Sequence, residues 1–243
     1  MCGIAGCFGS RDQETVLKMM DAMEHRGPDD RGIHSLDSGS YGHTRLSIVD
    51  VQGGHQPILS TDEKHGLICN GEIYNYQTLK RKQCQDYQFE TESDTEVILP
   101  LYQKKGNDFI SELDGMFAFA LFSHDNIFLA RDPIGIKPLY YGYYKDQLYF
   151  SSELGAMSHA GVNKVEEFPA GHYYTPATGL VQYYSVPQVM ENREWNTEKA
   201  AETIRDTFID SVEKRLLSDP DIHVGAFCSG GLDSSLVSAI AAQ

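Results

Sequence analysis

Between residues 115 and 183, short β-rich segments follow one another with no helix between them, at 115–123, 127–131, 139–143, 147–151, 171–175 and 180–183. A parallel pair needs a crossover of about a dozen or more residues, so this crowding requires antiparallel pairing and an α+β class, not a doubly wound sheet. Upstream, 41–50 and 65–69 read as further strands separated by Gly, Asp and Pro. The small-residue run 2–8 suits a buried strand, ended by Gly9-Ser10. Val16, Leu17, Met19, Met20 and Met23 fall at helical spacing within 12–24, with Asp12 as a cap and the methionines as core filler. The polar stretch His25-Arg26-Gly27-Pro28-Asp29-Asp30 breaks that helix into a loop. Residues 74–84 and 95–105 read as two more helices, the second presenting Val97, Ile98, Leu101 and Tyr102 on one side.

The pattern changes after residue 185. Residues 186–196, with Pro187 and the only tryptophan, Trp195, read as a linker. In 197–217, Ala200, Ile204, Phe208, Val212 and Leu216 recur every fourth residue, an amphipathic helix stopped by Asp219-Pro220. A strand over 222–228, a glycine loop and a helix over 232–242 then open an α/β domain. The expected division is a domain over 2–185, a linker over 186–196, and a truncated second domain over 197–243 that is loosely held.

Charge removes several classes of function. With 35 acidic against 20 basic residues the net charge is −15, and no basic footprint for nucleic acid or an anionic membrane exists. Any phosphate site must rely on local backbone donors and helix ends. No run of about 18 apolar residues occurs and the amino terminus lacks a basic segment followed by an apolar one, so neither a span nor a signal peptide is expected. The five cysteines, Cys2, Cys7, Cys69, Cys84 and Cys228, show no CxxC pair, which points to reduced thiols in a cytoplasm. No metal-ligand set is expected among these residues.

Cys2 has two readings. It can open a buried strand as a small apolar residue. It can also become the terminal residue, because its small side chain permits removal of Met1, leaving a thiol beside a free α-amine. An amine of pKa about 7.7 to 8.0 can accept the thiol proton near neutrality, so nucleophile and base would share one residue.

Other stretches have paired readings. Asn70-Gly71-Glu72 follows the strand ending at Cys69 as a turn, either a plain hairpin or a pair of donors for a developing oxyanion. Arg45, in the apolar stretch Arg45-Leu46-Ser47-Ile48-Val49, needs a carboxylate partner, from the protein or from a substrate. Within Glu92-Ser93-Asp94-Thr95-Glu96, Ser93 or Asp94 can cap the following helix. Ser229-Gly230-Gly231-Leu232-Asp233-Ser234-Ser235 is either a generic strand-to-helix turn or a phosphate cradle, and it lacks the Lys of a P-loop.

Taken in order, Met1-Cys2-Gly3-Ile4-Ala5-Gly6, His25-Arg26-Gly27-Pro28-Asp29, Arg45-Leu46-Ser47-Ile48-Val49, Asn70-Gly71-Glu72-Ile73-Tyr74-Asn75, Ser93-Asp94-Thr95-Glu96, Gly115-Met116-Phe117-Ala118-Phe119 and Arg131-Asp132-Pro133-Ile134-Gly135 resemble the class II glutamine amidotransferase domains. The resemblance covers 2–185 and implies the Ntn-hydrolase fold, a four-layer αββα sandwich of antiparallel sheets. It implies Cys2 as nucleophile, with the Asn70 side chain and Gly71 N–H as oxyanion hole. Arg45 would take the α-carboxylate of glutamine, Glu72 and Asp94 its α-ammonium, and the backbone of Arg45, Leu46, Ser47, Ile48 and Val49 would line the pocket. Arg26 would help order the site.

The later loop resembles that of ATP-pyrophosphatases, with Cys228, Ser229, Gly230, Gly231, Asp233 and Ser234 toward the nucleotide. The two together resemble the glutamine-hydrolysing asparagine synthetase family. That implies glutamine, aspartate and ATP as substrates, Mg2+ with the ATP, ammonia passed internally to adenylated aspartate, and a possible homodimer. A relative amidating another carboxylate, or a non-catalytic protein of the same fold, is the competing reading.

Overall fold

The computed structural model describes residues 1–188 and 196–242 and divides into two units, Met1–Val186 and Pro187–Gln243. Residues 189–195, including Trp195 and most of the expected linker, lie outside the described residues.

In the first unit the strands are β1 (Gly3–Phe8), β2 (Asp30–Leu36), β3 (Gly39–Arg45), β4 (Ile58–Leu59), β5 (Gly66–Ile73), β6 (Gly115–Phe122), β7 (Ile127–Arg131), β8 (Tyr140–Tyr144), β9 (Gln147–Ser151), β10 (Val165–Glu167), β11 (His172–Thr175) and β12 (Gly179–Gln182). Its helices are α1 (Gln13–Asp21), α2 (Tyr76–Gln83), α3 (Ile98–Lys105) and α4 (Leu154–Met157). Every strand pair is antiparallel. One sheet runs β10-β8-β9-β1-β3-β2 and the other β12-β11-β7-β6-β5-β4.

Side-chain alternation stacks these sheets. Along β6, Phe117, Phe119 and Leu121 join one apolar cluster while Ala118, Ala120 and Phe122 join another, as a period of two requires. The second cluster lies between the sheets and includes Ile4 of β1 and Ile68 of β5. Tyr41 of β3 stacks on Phe122 of β6 across that layer, centroids 3.9 Å apart. The outer face of one sheet packs against α1 and α4 through Val16, Met19, Met20 and Met157. The other takes α2 and α3 through Leu79, Ile98 and Leu101. The result is the expected α+β, four-layer αββα sandwich.

Asp12 caps α1 by accepting the Thr15 N–H at 3.2 Å, and Ser93 accepts the Thr95 N–H in the 3-10 turn Asp94–Val97 that precedes α3. Three expectations change. Asn70, Gly71 and Glu72 are not a turn, because β5 continues to Ile73 with β6 opposite it, Gly71 facing Phe117. The strand expected over 41–50 ends at Arg45, and 30–36, where no strand was expected, pairs along β3. Polar residues such as Arg31, His34 and Ser35 hid β2; it is an edge strand that leaves one face wet.

In the second unit, α5 (Thr197–Lys214), capped by Asn196, and α6 (Leu232–Ala241) form at the expected places. Residues 222–228 do not form the expected strand. A strand exists by pairing, and no described segment of this unit offers its backbone to that stretch. Val212 is the only buried residue of α5, and α6 has none.

Candidate active site

Register brings the first residues to the fifth strand. Gly3 of β1 pairs with Thr44 of β3, so Cys2 lies one step beyond, beside Arg45. His43 reaches from β3 to the other sheet, its Nε2 lying 3.0 Å from the Cys69 carbonyl oxygen. A carbonyl only accepts, so Nε2 carries the proton. Burial holds the His43 pKa down to about 4, and the ring is a neutral strut between the sheets.

At this junction lies a cavity of 330 Å³ lined by Cys2, Arg45, Leu46, Ile48, Val49, Asn70, Gly71, Glu72 and Asp94. Ser47 is not in its wall; its N–H turns away to Asp29 at 2.8 Å. Met1, half exposed, lies across the same cavity.

The Cys2 Sγ accepts the Leu46 N–H at 3.4 Å and lies 3.6 Å from the Leu46 carbonyl oxygen. Burial pushes the thiol pKa up; the Leu46 N–H, the terminal amine, Lys137 and Arg45 push it down. Burial lowers the pKa of the Met1 amine, helped by Arg26 and Lys137, while Cys2 and Asp29 act in the opposite direction. Burial dominates both groups, leaving the thiol pKa above and the Met1 amine pKa below its ordinary value, so with Met1 in place the two move apart. Arg26 fixes the Cys2 backbone, donating from Nε to the Cys2 carbonyl oxygen at 2.9 Å and from Nη1 to Glu153 at 2.9 Å.

Two donors converge from β5. The Asn70 side chain is 1% exposed, and its Nδ2 has no hydrogen-bond partner among the described residues. A buried amide donor left unpaired costs about 1–3 kcal/mol, so it marks a place where an acceptor belongs. Phe117, opposite Gly71, directs both its N–H and its C=O at Asp132. In an antiparallel ladder such a residue faces a partner whose own groups also point outward, so the Gly71 N–H points away from β6. A Cβ on Gly71 would meet the Met116 carbonyl oxygen at 2.4 Å, which is why glycine stands there.

Arg45 is 4% exposed and its expected carboxylate partner is absent among the described residues; it donates instead to the carbonyls of Val49, Asp50 and Val51 at 3.1, 2.6 and 3.2 Å. The loop after β3 wraps around the guanidinium, with Asp50 in the left-handed region at φ 52°. These contacts use three of five N–H groups and leave the charge uncompensated, so Arg45 can still take an anion. Asp94 accepts the Ile73 N–H at 2.6 Å, and burial, aided by Glu72, raises its pKa to about 7. A cationic fork and two acids thus line the cavity that holds the thiol.

Two wall residues escaped the sequence reading. Gln56 accepts the Cys69 N–H at 2.6 Å and donates to its carbonyl at 3.3 Å, standing in for a strand partner. Lys137 is a buried lysine between Ile136 and Pro138, and a charge in so apolar a stretch was the available signal. No group of three or more metal-ligating side chains occurs among the described residues, and none of their helices is long and apolar enough to cross a membrane.

In the second unit, Ser229, Gly230 and Gly231 form a loop with Gly230 at φ 83°, followed by α6. The Ser229 N–H and Oγ meet Ser234 Oγ at 3.2 and 3.0 Å, while Cys228 and Asp233 flank the turn. No side chain caps α6, so its first N–H groups remain available to an anion.

A cysteine in second position and a buried, unpartnered amide donor in one cavity of an αββα sandwich fit the amino-terminal-nucleophile hydrolase fold. The family model described as glutamine amidotransferase domain matches residues 1–201, and the chain belongs to that family. The asparagine synthase model matches residues 203–243. Asparagine synthetase B [glutamine-hydrolyzing] of Escherichia coli (strain K12) is 41% identical over 99% of this chain and 44% of its own length. Probable asparagine synthetase [glutamine-hydrolyzing] of Dictyostelium discoideum is 39% identical over 100% and 46%. The chain therefore spans less than half the length of these curated relatives. Among solved structures, the glutamine phosphoribosylpyrophosphate amidotransferase of B. subtilis shares the fold at TM-score 0.68 and 19% identity, covering 99% of this chain and 64% of that one. The allosteric regulatory enzyme of purine biosynthesis superposes at TM-score 0.65 with 25% identity, over 74% and 48%. The resemblance read from the motifs holds at the level of the family.

Proposed function

We propose that this chain carries the glutaminase half of a glutamine-dependent asparagine synthetase. The observation that supports this reading most directly is the buried, unpartnered Asn70 Nδ2 in the cavity that also holds Cys2 Sγ. Met1, which lines the cavity, is removed in the mature enzyme, because its amide would replace the free amine at Cys2.

Glutamine enters with its α-carboxylate at Arg45 and its α-ammonium at Asp94 and Glu72, which places the side-chain amide against Sγ. The Cys2 amine takes the thiol proton, and the thiolate adds to the amide carbon. Asn70 Nδ2 and the Gly71 N–H hold the resulting oxyanion. The amine returns the proton to the leaving nitrogen, the C–N bond breaks, and ammonia departs from a γ-glutamyl thioester. Water, deprotonated by the same amine, adds to the thioester; collapse releases glutamate and the thiol.

The names of the relatives and the match at 203–243 support aspartate as acceptor and ATP as co-substrate. The donor-rich turn at Ser229, Gly230, Gly231 and Ser234, with the open start of α6, fits a phosphate group. Bound there with Mg2+, ATP supplies activation of the acceptor carboxylate. The second domain over 197–243 provides this cradle, Cys228 and Asp233 flanking it. Five free thiols suit a cytoplasmic enzyme.

The deciding experiment incubates the protein and its Cys2→Ala variant with glutamine and measures ammonia and glutamate. Release by the wild type that disappears in the variant supports the reading; equal release by both overturns it.

A further inference from the structure

Lys137 is 6% exposed and lines the cavity that holds Cys2, yet among the described residues no ion pair or hydrogen bond engages its ammonium. An unpaired ammonium at the wall of a reaction cavity is free to meet a negative charge that arises there.

Its placement is enforced. Asp132, fully buried, accepts the backbone N–H groups of Phe117, Ile134, Ile136 and Lys137 at 3.3, 3.3, 2.9 and 2.9 Å. Arg131 donates to the carbonyls of Lys137, Phe168 and Gly135 at 2.7, 2.6 and 3.0 Å. Two buried charges thus clamp the turn that delivers Lys137, and Gly135 takes φ 73° to close it. So many fixed contacts at one turn exceed what a surface loop needs, and they resist displacement of the lysine.

We propose that the Lys137 ammonium is the fixed counter-charge of the Cys2 thiolate. This rests on the glutaminase reading above. The α-carboxylate of the substrate has Arg45, and Asp94 and Glu72 have the α-ammonium, so the thiolate is the anion left for Lys137. The other groups facing Cys2 do not replace it. Arg45 is taken by the substrate α-carboxylate, Arg26 holds the Cys2 carbonyl, and His43 is neutral. Cys69 is buried, with its thiol pKa driven well up, and Asp94 and Glu72 would repel a thiolate. The terminal amine is neutral when it acts as base and charged once it holds the thiol proton. Lys137 favours the thiolate form of Cys2.

The test follows the rate of Cys2 alkylation by iodoacetamide across about pH 5 to 10 in wild-type chain, K137M and K137R, read by mass spectrometry of the amino-terminal peptide. Loss of a nearby opposite charge raises the midpoint in K137M by about one pH unit, so alkylation below the midpoint is about tenfold slower. K137R restores the wild-type profile, and kcat for glutamine follows the same order. K137Q carries the same comparison if the methionine side chain impairs folding. A K137M or K137Q profile that coincides with wild type overturns the proposal, as does a rise in KM for glutamine with the thiol profile unmoved. Either result leaves the glutaminase reading intact if Cys2→Ala abolishes ammonia release. Ammonia release retained by Cys2→Ala removes that reading instead.

Discussion

Arg26 donates from Nε to the carbonyl oxygen of Cys2 at 2.9 Å, tying the first loop of the chain to the proposed nucleophile. Its other arm meets Glu153 at 2.9 Å, so the planar fork bridges β1 to the residue that precedes α4. A lysine cannot span both. Replacing Arg26 with Lys or Met is expected to lower glutaminase kcat by about 10²-fold through misplacement of Sγ, with KM little changed. Steady-state kinetics check this; a variant that loses only KM removes Arg26 from nucleophile positioning.

Asn70→Ala deletes one proposed oxyanion donor without touching the cationic or acidic ends of the cavity. The expected result is a loss of about 10²–10³ in kcat at nearly constant KM. Because Nδ2 is unpartnered in the empty site, the variant should be no less stable, and thermal melting measures that directly. Near-normal turnover would refute the assignment.

Asp94 sets a pH dependence. Its carboxyl pKa rises from an ordinary 3.8 to about 7 in the fold, so the folded chain holds the proton more tightly than the unfolded one. The stability it confers is therefore complete below about pH 4 and is lost as pH rises toward 7. Asp94→Asn should be more stable than wild type to urea at about pH 8, by on the order of 2 kcal/mol, with the difference vanishing near pH 4. The proposed contact with the ammonium of glutamine needs the ionised form. In the wild type KM should rise about tenfold from pH 8 to pH 6, and a KM that is flat across that range contradicts the role.

Gly71→Ala tests close packing and chemistry together. The added methyl would lie 2.4 Å from the Met116 carbonyl oxygen and 2.7 Å from the Phe117 Cα, both backbone atoms of β6. We expect a loss of about 1–3 kcal/mol in unfolding free energy and a fall in kcat greater than the lost folded fraction explains. Urea titration and turnover on the same preparation separate the two effects.

Much of the architecture was legible because alternation and spacing are local properties. Phe117 to Phe122 announce a strand with two dry faces, and Val16, Met19 and Met20 a helix with one. The β2 edge was not legible, since Arg31, His34 and Ser35 give a polar strand whose only signature is its pairing along β3. The stretch 222–228 erred in the other direction. Its apolar residues promise a strand, but a strand requires a neighbour. Asn70-Gly71 was misread locally for the same reason: the dipeptide favours a turn in isolation, and eight registered pairs with β6 keep it extended.

By itself the sequence determined which chemistry was at hand: a cysteine in second position, an Asn-Gly donor pair, one arginine and nearby acids, each fixed by side-chain type. Only the tertiary structure decided where they point and what they lack. It left Asn70 Nδ2 without an acceptor, wrapped Arg45 in carbonyls, raised Asp94 to about 7 and set Lys137 in the cavity that holds Cys2. Charge, burial and open valence depend on groups distant in the chain, and sheet register alone brings those groups together.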